Sequence, residues 1–131
     1  MYVVFLSKEV TSCFLPVPDT RVKIPITIIN GIDDGPTLLI TAGIHGGEYP
    51  GIAASMELGR DIEPTDVKGC LIIMHPVNIQ GFWARREMIV PEDGKNLNRV
   101  FPGDPLGTLA DKTAYLISSN FFPIADFYVD L

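Results

Sequence analysis

Two short runs of mostly apolar residues, Thr37 to Ala42 and Lys68 to Met74, flank a stretch whose apolar residues fall at helical spacing. Runs of this length suit strands buried on both faces, the condition of a sheet sandwiched between helices. Between them, Ile52 to Leu58 carries the helical spacing, and Pro50 suits the first turn, so a helix is expected over about Pro50–Asp61. Arg21 to Asn30 alternates polar and β-branched residues and reads as a further strand. Pro25 lies inside it and cannot donate to a ladder, which points to a sheet edge. Thr108 to Asn120 reads as a helix, with Thr108 as N-cap and Asp111 at the third helical position. Ala125 to Leu131 reads as a last strand. The expected fold class is therefore α/β, a mixed sheet with helices on both faces.

The chain has 131 residues, and that length favours one domain. A net charge of -6 argues against nucleic acid, whose binders carry basic patches. No apolar run approaches the ~20 residues that span a bilayer, so no membrane partner is expected. Met1 to Val10 is broken by Lys8 and Glu9 and lacks the basic start and cleavage site of a leader. Cys13 and Cys70 have no metal-binding spacing, and Cys70 reads as a buried core thiol. Trp83 and the aromatic residues Phe121, Phe122, Phe127 and Tyr128 read as packing. A cytoplasmic location is the expectation.

In α/β sheets the ligand site lies beyond the carboxyl ends of the strands. Three segments leave those ends. One is the glycine-rich loop Gly43–Gly51, which holds His45 and Glu48. The second is Asn78 to Gly107, long and poor in regular pattern. The third is the tip of the last strand. Long segments of the second kind in compact domains are usually functional or disordered.

His45 and Glu48 form an H-x-x-E pair. In one tight turn, residues three apart share a side, so an imidazole nitrogen and a carboxylate oxygen can reach one zinc ion. Alone the pattern is weak, since a carboxylate near a helix N-terminus is favoured anyway. Asn98 and Arg99 place an amide beside a guanidinium, a pairing suited to holding a carboxylate. Ordinary turn chemistry explains Asp93-Gly94 and Asn96. It does not explain why Leu97 and Val100 flank Asn98 and Arg99.

Together the motifs are specific. Gly-x-His-Gly-x-Glu follows a buried strand, Pro76-Val77-Asn78 ends the next, and Asp93-Gly94-Lys95-Asn96-Leu97-Asn98-Arg99-Val100-Phe101-Pro102-Gly103 comes after. This series resembles the succinylglutamate desuccinylase/aspartoacylase family, over about Pro25 to Leu131. The resemblance implies a zinc carboxypeptidase-like fold. It implies His45 and Glu48 as two metal ligands to one zinc ion, and Asn98 and Arg99 as the site for a small carboxylate-bearing substrate. Arg85 matches the arginine that polarises the scissile carbonyl, with Arg86 as the one-residue alternative.

In the family a third ligand, a histidine, follows the strand that resembles Asp126 to Leu131, and a catalytic glutamate lies further on. The 131 residues end at Leu131, so the expected reading is the N-terminal portion of a catalytic domain with an incomplete site. His75, the only other histidine, directly precedes Pro76 at a strand end where the family has no ligand. The implied activity is metal-dependent hydrolysis of an N-acyl amino acid or related amide, with peptides as the next candidate substrate. As given, the chain is expected to be inactive alone. A non-catalytic module binding a small acid or a protein is the competing reading, and an incomplete gene product is the third. An open edge along Ala125–Leu131 would also pair with a second copy of the chain.

Overall fold

The structure is a computed structural model that describes residues 8–131. Most of the stretch Met1 to Val10, up to residue 7, lies outside the described residues. Five strands form one sheet: β1 (Glu9–Pro16), β2 (Lys23–Asn30), β3 (Asp33–Thr41), β4 (Lys68–Met74) and β5 (Phe127–Asp130). Helices are α1 (Tyr49–Asp61), α2 (Ile79–Ala84) and α3 (Leu109–Asn120). The spatial order is β1-β2-β4-β3-β5. β1, β2 and β4 pair antiparallel, while β4, β3 and β5 run parallel.

Alternation along the strands divides the core into two layers, because successive side chains point to opposite faces. Ile24, Ile26, Ile28, Leu39, Ile72 and Met74 fall on one face, against Ala110, Ala114 and Ile117 of α3. Ile29, Ile40, Leu71 and Ile73 fall on the other, against Leu58 and Ile62 at the end of α1. Helices therefore cover both faces of a mixed sheet, as the sequence implied. At Gly59 α1 faces Thr27 of β2, and a Cβ there would make an ordinary contact at 3.5 Å.

Some boundaries and one placement differ from expectation. β2 is not an edge, since β1 pairs along its whole length. Pro25 is tolerated because it stands opposite His75, one place past the end of β4, where its carbonyl still accepts from the His75 N–H. A missing donor at the last rung leaves the ladder intact. The edges are β1, in which only Leu15 is buried, and β5, all of whose residues are exposed. β3 starts earlier than Thr37, through a register shift between Asp33 and Thr37. The long segment after Asn78 contains α2, capped by the Asn78 side chain, which accepts from the Gly81 N–H. Cys70 is half-buried, and burial pushes its thiol up to about 11. Among the described residues, no helix is long and apolar enough to cross a membrane.

Because β3, β4 and β5 run parallel, their carboxyl ends share one edge of the sheet. Thr41, Met74 and Asp130 mark those ends, and the first two lead into the loop of His45 and the segment from Asn78.

Candidate active site

His45 lies four residues past the end of β3, in a turn closed by the Glu48 N–H donating to the His45 carbonyl. Gly43 opens that turn with φ +67, a left-handed backbone that glycine adopts freely. The turn brings His45 Nδ1 to 3.1 Å from Glu48 Oε1. On its other side, His45 Nε2 lies 3.0 Å from Asn96 Oδ1.

The orientation of Asn96 settles the hydrogens. Its Oδ1 also accepts from the Asn98 N–H at 3.0 Å. A backbone donor needs an acceptor, so oxygen rather than NH2 occupies that position, and an amide oxygen can only accept. Nε2 of His45 therefore carries a proton. Nδ1 then faces a carboxylate either with a second proton, as imidazolium, or with a lone pair and a cation between. Two donors on one tetrahedral zinc stand about 3.3 Å apart, close to the observed 3.1 Å. The pair thus fits two neighbouring positions on one metal ion. Among the described residues, no group of three or more His, Cys, Asp or Glu side chains is placed to hold a metal.

Asn96 opens the 3-10 turn Leu97–Arg99 and caps it through the same oxygen. Leu97 is fully buried and anchors the turn, leaving Asn98 and Arg99 exposed beside the His45–Asn96 contact. The turn is tied to α3 through Asp93. Its carboxylate accepts from the Lys95 N–H at 3.0 Å and from the Ala110 N–H at 2.8 Å. The Thr108 N–H donates to Asp111, one half of a capping box.

Arg85 ends α2 in a left-handed conformation, φ 54 and ψ 39. It lines a cleft of about 530 Å³ with Tyr49, Phe82 and Trp83. α2 is pressed against the His45 turn: a Cβ on Gly46 would meet the Phe82 backbone nitrogen at 2.4 Å. Trp83 is 73% exposed and so is not part of the core. In contrast, Phe121 is buried, and Phe122 packs on Tyr128 with ring centroids 5.0 Å apart.

Two residues of the site escape sequence reasoning. Asn96 reads as a turn residue, which it is, and its second contact spans 51 residues. Asp130 reads only as strand tip. Its carboxylate accepts from the Thr41 hydroxyl at 2.7 Å, and Tyr128 reaches the same hydroxyl at 2.8 Å. Desolvation raises the Asp130 carboxyl, as does the charge of Glu48, while the Thr41 bond and His45 lower it. The Asp130 carboxyl thus stands at the carboxyl end of β3, the strand that leads into the His45 turn. His75 lies elsewhere, with Nε2 3.2 Å from Thr27 Oγ1 on β2.

Residues 34–131 match the sequence profile of the succinylglutamate desuccinylase/aspartoacylase catalytic domain. The chain belongs to this family. Over 110 residues it is 41% identical to N-alpha-acetyl-L-2,4-diaminobutyric acid deacetylase from Halomonas elongata, covering 84% of this chain and 32% of that protein. The product-bound structure of the ectoine utilization protein EutE (DoeB) from Ruegeria pomeroyi is 37% identical with a TM-score of 0.88. The match covers 98% of this chain and 41% of that one. A succinylglutamate desuccinylase/aspartoacylase from Rhodobacter sphaeroides is 35% identical with a TM-score of 0.82, covering 94% and 39%. Metallopeptidase and carboxypeptidase structures at 22% identity share the fold alone. The chain thus spans about a third of its curated relative's length and about two fifths of these two solved relatives'. By name, the Halomonas relative is a deacetylase and the Rhodobacter structure a succinylglutamate desuccinylase/aspartoacylase.

Proposed function

We propose that this chain supplies part of the active site of a zinc-dependent deacylase that cleaves the amide bond of an N-acyl amino acid. The single observation that carries the reading is the His45–Glu48 pair, 3.1 Å apart, with the far ring nitrogen donating to Asn96. That arrangement leaves Nδ1 and a carboxylate oxygen aimed at one point. In metal sites, the outer hydrogen bond on a ligating histidine fixes its tautomer and ring orientation.

When bound, zinc would polarise a carbonyl and activate water for attack. The remaining roles belong to side chains. His45 and Glu48 hold the ion, and Asn96 holds the His45 ring. Asn98 and Arg99 bind the substrate carboxylate, the planar guanidinium matching it in bidentate fashion. Arg85 stabilises negative charge as it develops on the carbonyl oxygen. The Halomonas relative deacetylates an N-acetyl amino acid by name, which supports this substrate class for the whole protein. Two donors leave the metal short of the three protein ligands of a catalytic zinc site, so these residues alone should bind zinc weakly and turn over little.

The test is zinc titration by calorimetry, combined with assays of a panel of N-acyl amino acids. The reading expects His45→Ala and Glu48→Ala each to abolish zinc binding. It expects Arg99→Ala to leave zinc binding intact while weakening binding of N-acyl amino acids. Zinc binding indifferent to both His45 and Glu48 would overturn it. A non-catalytic acid-binding module would bind the acyl amino acids equally well with a chelator present.

A further inference from the structure

Glu48 is the N-cap residue of α1, yet its side chain makes no cap bond and turns to His45 instead. The helix that starts there therefore sets where one half of the proposed metal-holding pair stands. Gly51 sits three residues on, in the first turn of the same helix. Its backbone is helical with no positive φ, so its conformation does not call for glycine. Alanine is the better helix former. What glycine supplies is room. A Cβ on Gly51 would stand 2.6 Å from the carbonyl carbon and 2.7 Å from the carbonyl oxygen of Leu131, the residue that follows β5. The tip of β5 thus crosses the first turn of α1 in backbone contact. On its other side the tip is fastened to the end of β3. The Leu131 N–H donates to the Thr41 carbonyl at 2.9 Å, and the Thr41 hydroxyl donates to Asp130 Oδ1 at 2.7 Å. A hydroxyl has one proton, so the Tyr128 hydroxyl, 2.8 Å away, donates to Thr41. Thr41 is fully buried, and the chain runs from it into the loop of His45.

Resting on the deacylase reading, we propose that the tip of β5 positions the His45–Glu48 pair, and that Gly51 is the positioning residue that admits it. β3 leads to His45, α1 begins at Glu48, and the tip touches both elements, Thr41 on one side and Gly51 on the other. It acts as the spacer that keeps the two donors 3.1 Å apart, as one metal ion requires. With a methyl group at position 51, that group would meet backbone, which cannot step aside as a side-chain tip can. Either α1 or the tip must shift, and a shift of α1 carries Glu48 with it. Thr41 works from the opposite side. Without its hydroxyl, Asp130 and Tyr128 lose their common partner and the tip is held to β3 by backbone alone. If Gly51 served only packing, an equally severe clash anywhere in the sheet would have the same effect. Gly31 supplies that comparison at the far end of β3 and β4, where a Cβ would lie 2.1 Å from the Val67 carbonyl oxygen.

The test compares Gly51→Ala, Thr41→Val, Thr41→Ser and, as a control for lost stability, Gly31→Ala, each at a temperature where circular dichroism shows it folded. Zinc affinity is read by calorimetry. Hydrogen exchange of the Glu48 amide, which donates to the His45 carbonyl, is read by NMR. Gly51→Ala and Thr41→Val should bind zinc roughly tenfold more weakly, and their Glu48 amide should exchange faster. Thr41→Ser, which keeps the hydroxyl, and Gly31→Ala should match the unaltered chain in both readouts. If Gly51→Ala does not fold, the two Thr41 variants decide, because valine removes the hydroxyl without adding bulk. Equal losses in Gly31→Ala, or a Thr41→Val that behaves as Thr41→Ser does, would reduce the contact to packing and overturn the proposal. An unaltered chain that takes up no zinc would remove the metal reading, and the exchange rates would still decide whether the tip of β5 holds Glu48 in place.

Discussion

The Nε2 of His45 and the Oδ1 of Asn96 stand 3.0 Å apart, and the same amide oxygen caps the turn that carries Asn98 and Arg99. One atom thus couples the ring proposed to hold metal to the turn proposed to hold substrate. Replacing Asn96 with Leu should lower zinc affinity by roughly 10- to 100-fold and cost about 1 kcal/mol of stability through the lost cap. Asn96→Asp keeps an acceptor in both places and should recover most of each. Calorimetric titration and thermal melts of the two variants make the comparison.

Arg85 occupies a left-handed backbone conformation, φ 54. A side chain there costs about 1–2 kcal/mol, a strain that persists where the surroundings impose it. Arg85→Gly should therefore be more stable than Arg85→Ala by about 1 kcal/mol, since both lack the guanidinium and only glycine escapes the strain. Denaturant titration measures the difference, and equal stabilities would show that the conformation is not held in solution. Both variants should lose activity in the whole protein alike.

His75 gives the fold a dependence on acid. Burial holds its imidazole below the ordinary value, and its Nδ1 is buried without a partner. The unfolded chain takes up that proton near pH 6.5, the folded chain only at lower pH. Across that interval the unfolded state binds more protons, so stability is full above about pH 6.5 and falls as the pH drops towards the folded value. Thermal melts between neutral and mildly acidic pH should show this decline, and His75→Gln should reduce it.

Gly46 tests how tightly α2 is set against the His45 turn. A Cβ there would lie 2.4 Å from the Phe82 nitrogen and 2.5 Å from the Gly81 carbonyl carbon, and backbone cannot step aside as a side-chain tip can. Gly46→Ala should destabilise the chain by about 1–3 kcal/mol and disturb the Trp83 emission. An unchanged melt and spectrum would mean the two segments are not in contact.

Much of this architecture can be read from local pattern. β4 falls where its apolar run predicts, and α1 and α3 begin within one residue of their expected starts. Their signals are local: unbroken burial, helical spacing, a proline at the first turn. β1 escapes because seven of its eight residues are exposed, leaving no alternation to see. α2 escapes because a helix of 6 residues with one buried glycine has no periodicity. The His45–Glu48 pair is legible because it sits within a single turn. Asn96 and Asp130 become site residues only through contacts spanning 51 and 89 residues, and spacing along the chain carries no trace of those.

Those long separations also govern when the site can exist. β5 joins the sheet only beside β3, bringing Asp130 to Thr41 across 89 residues. Closing so wide a loop exacts its entropic cost before any contact rewards it, so such pairings form late and slowly in folding. His45 and Glu48 therefore emerge from the ribosome well before Asp130, and the outer side of β3 stays unpaired until β5 docks on it.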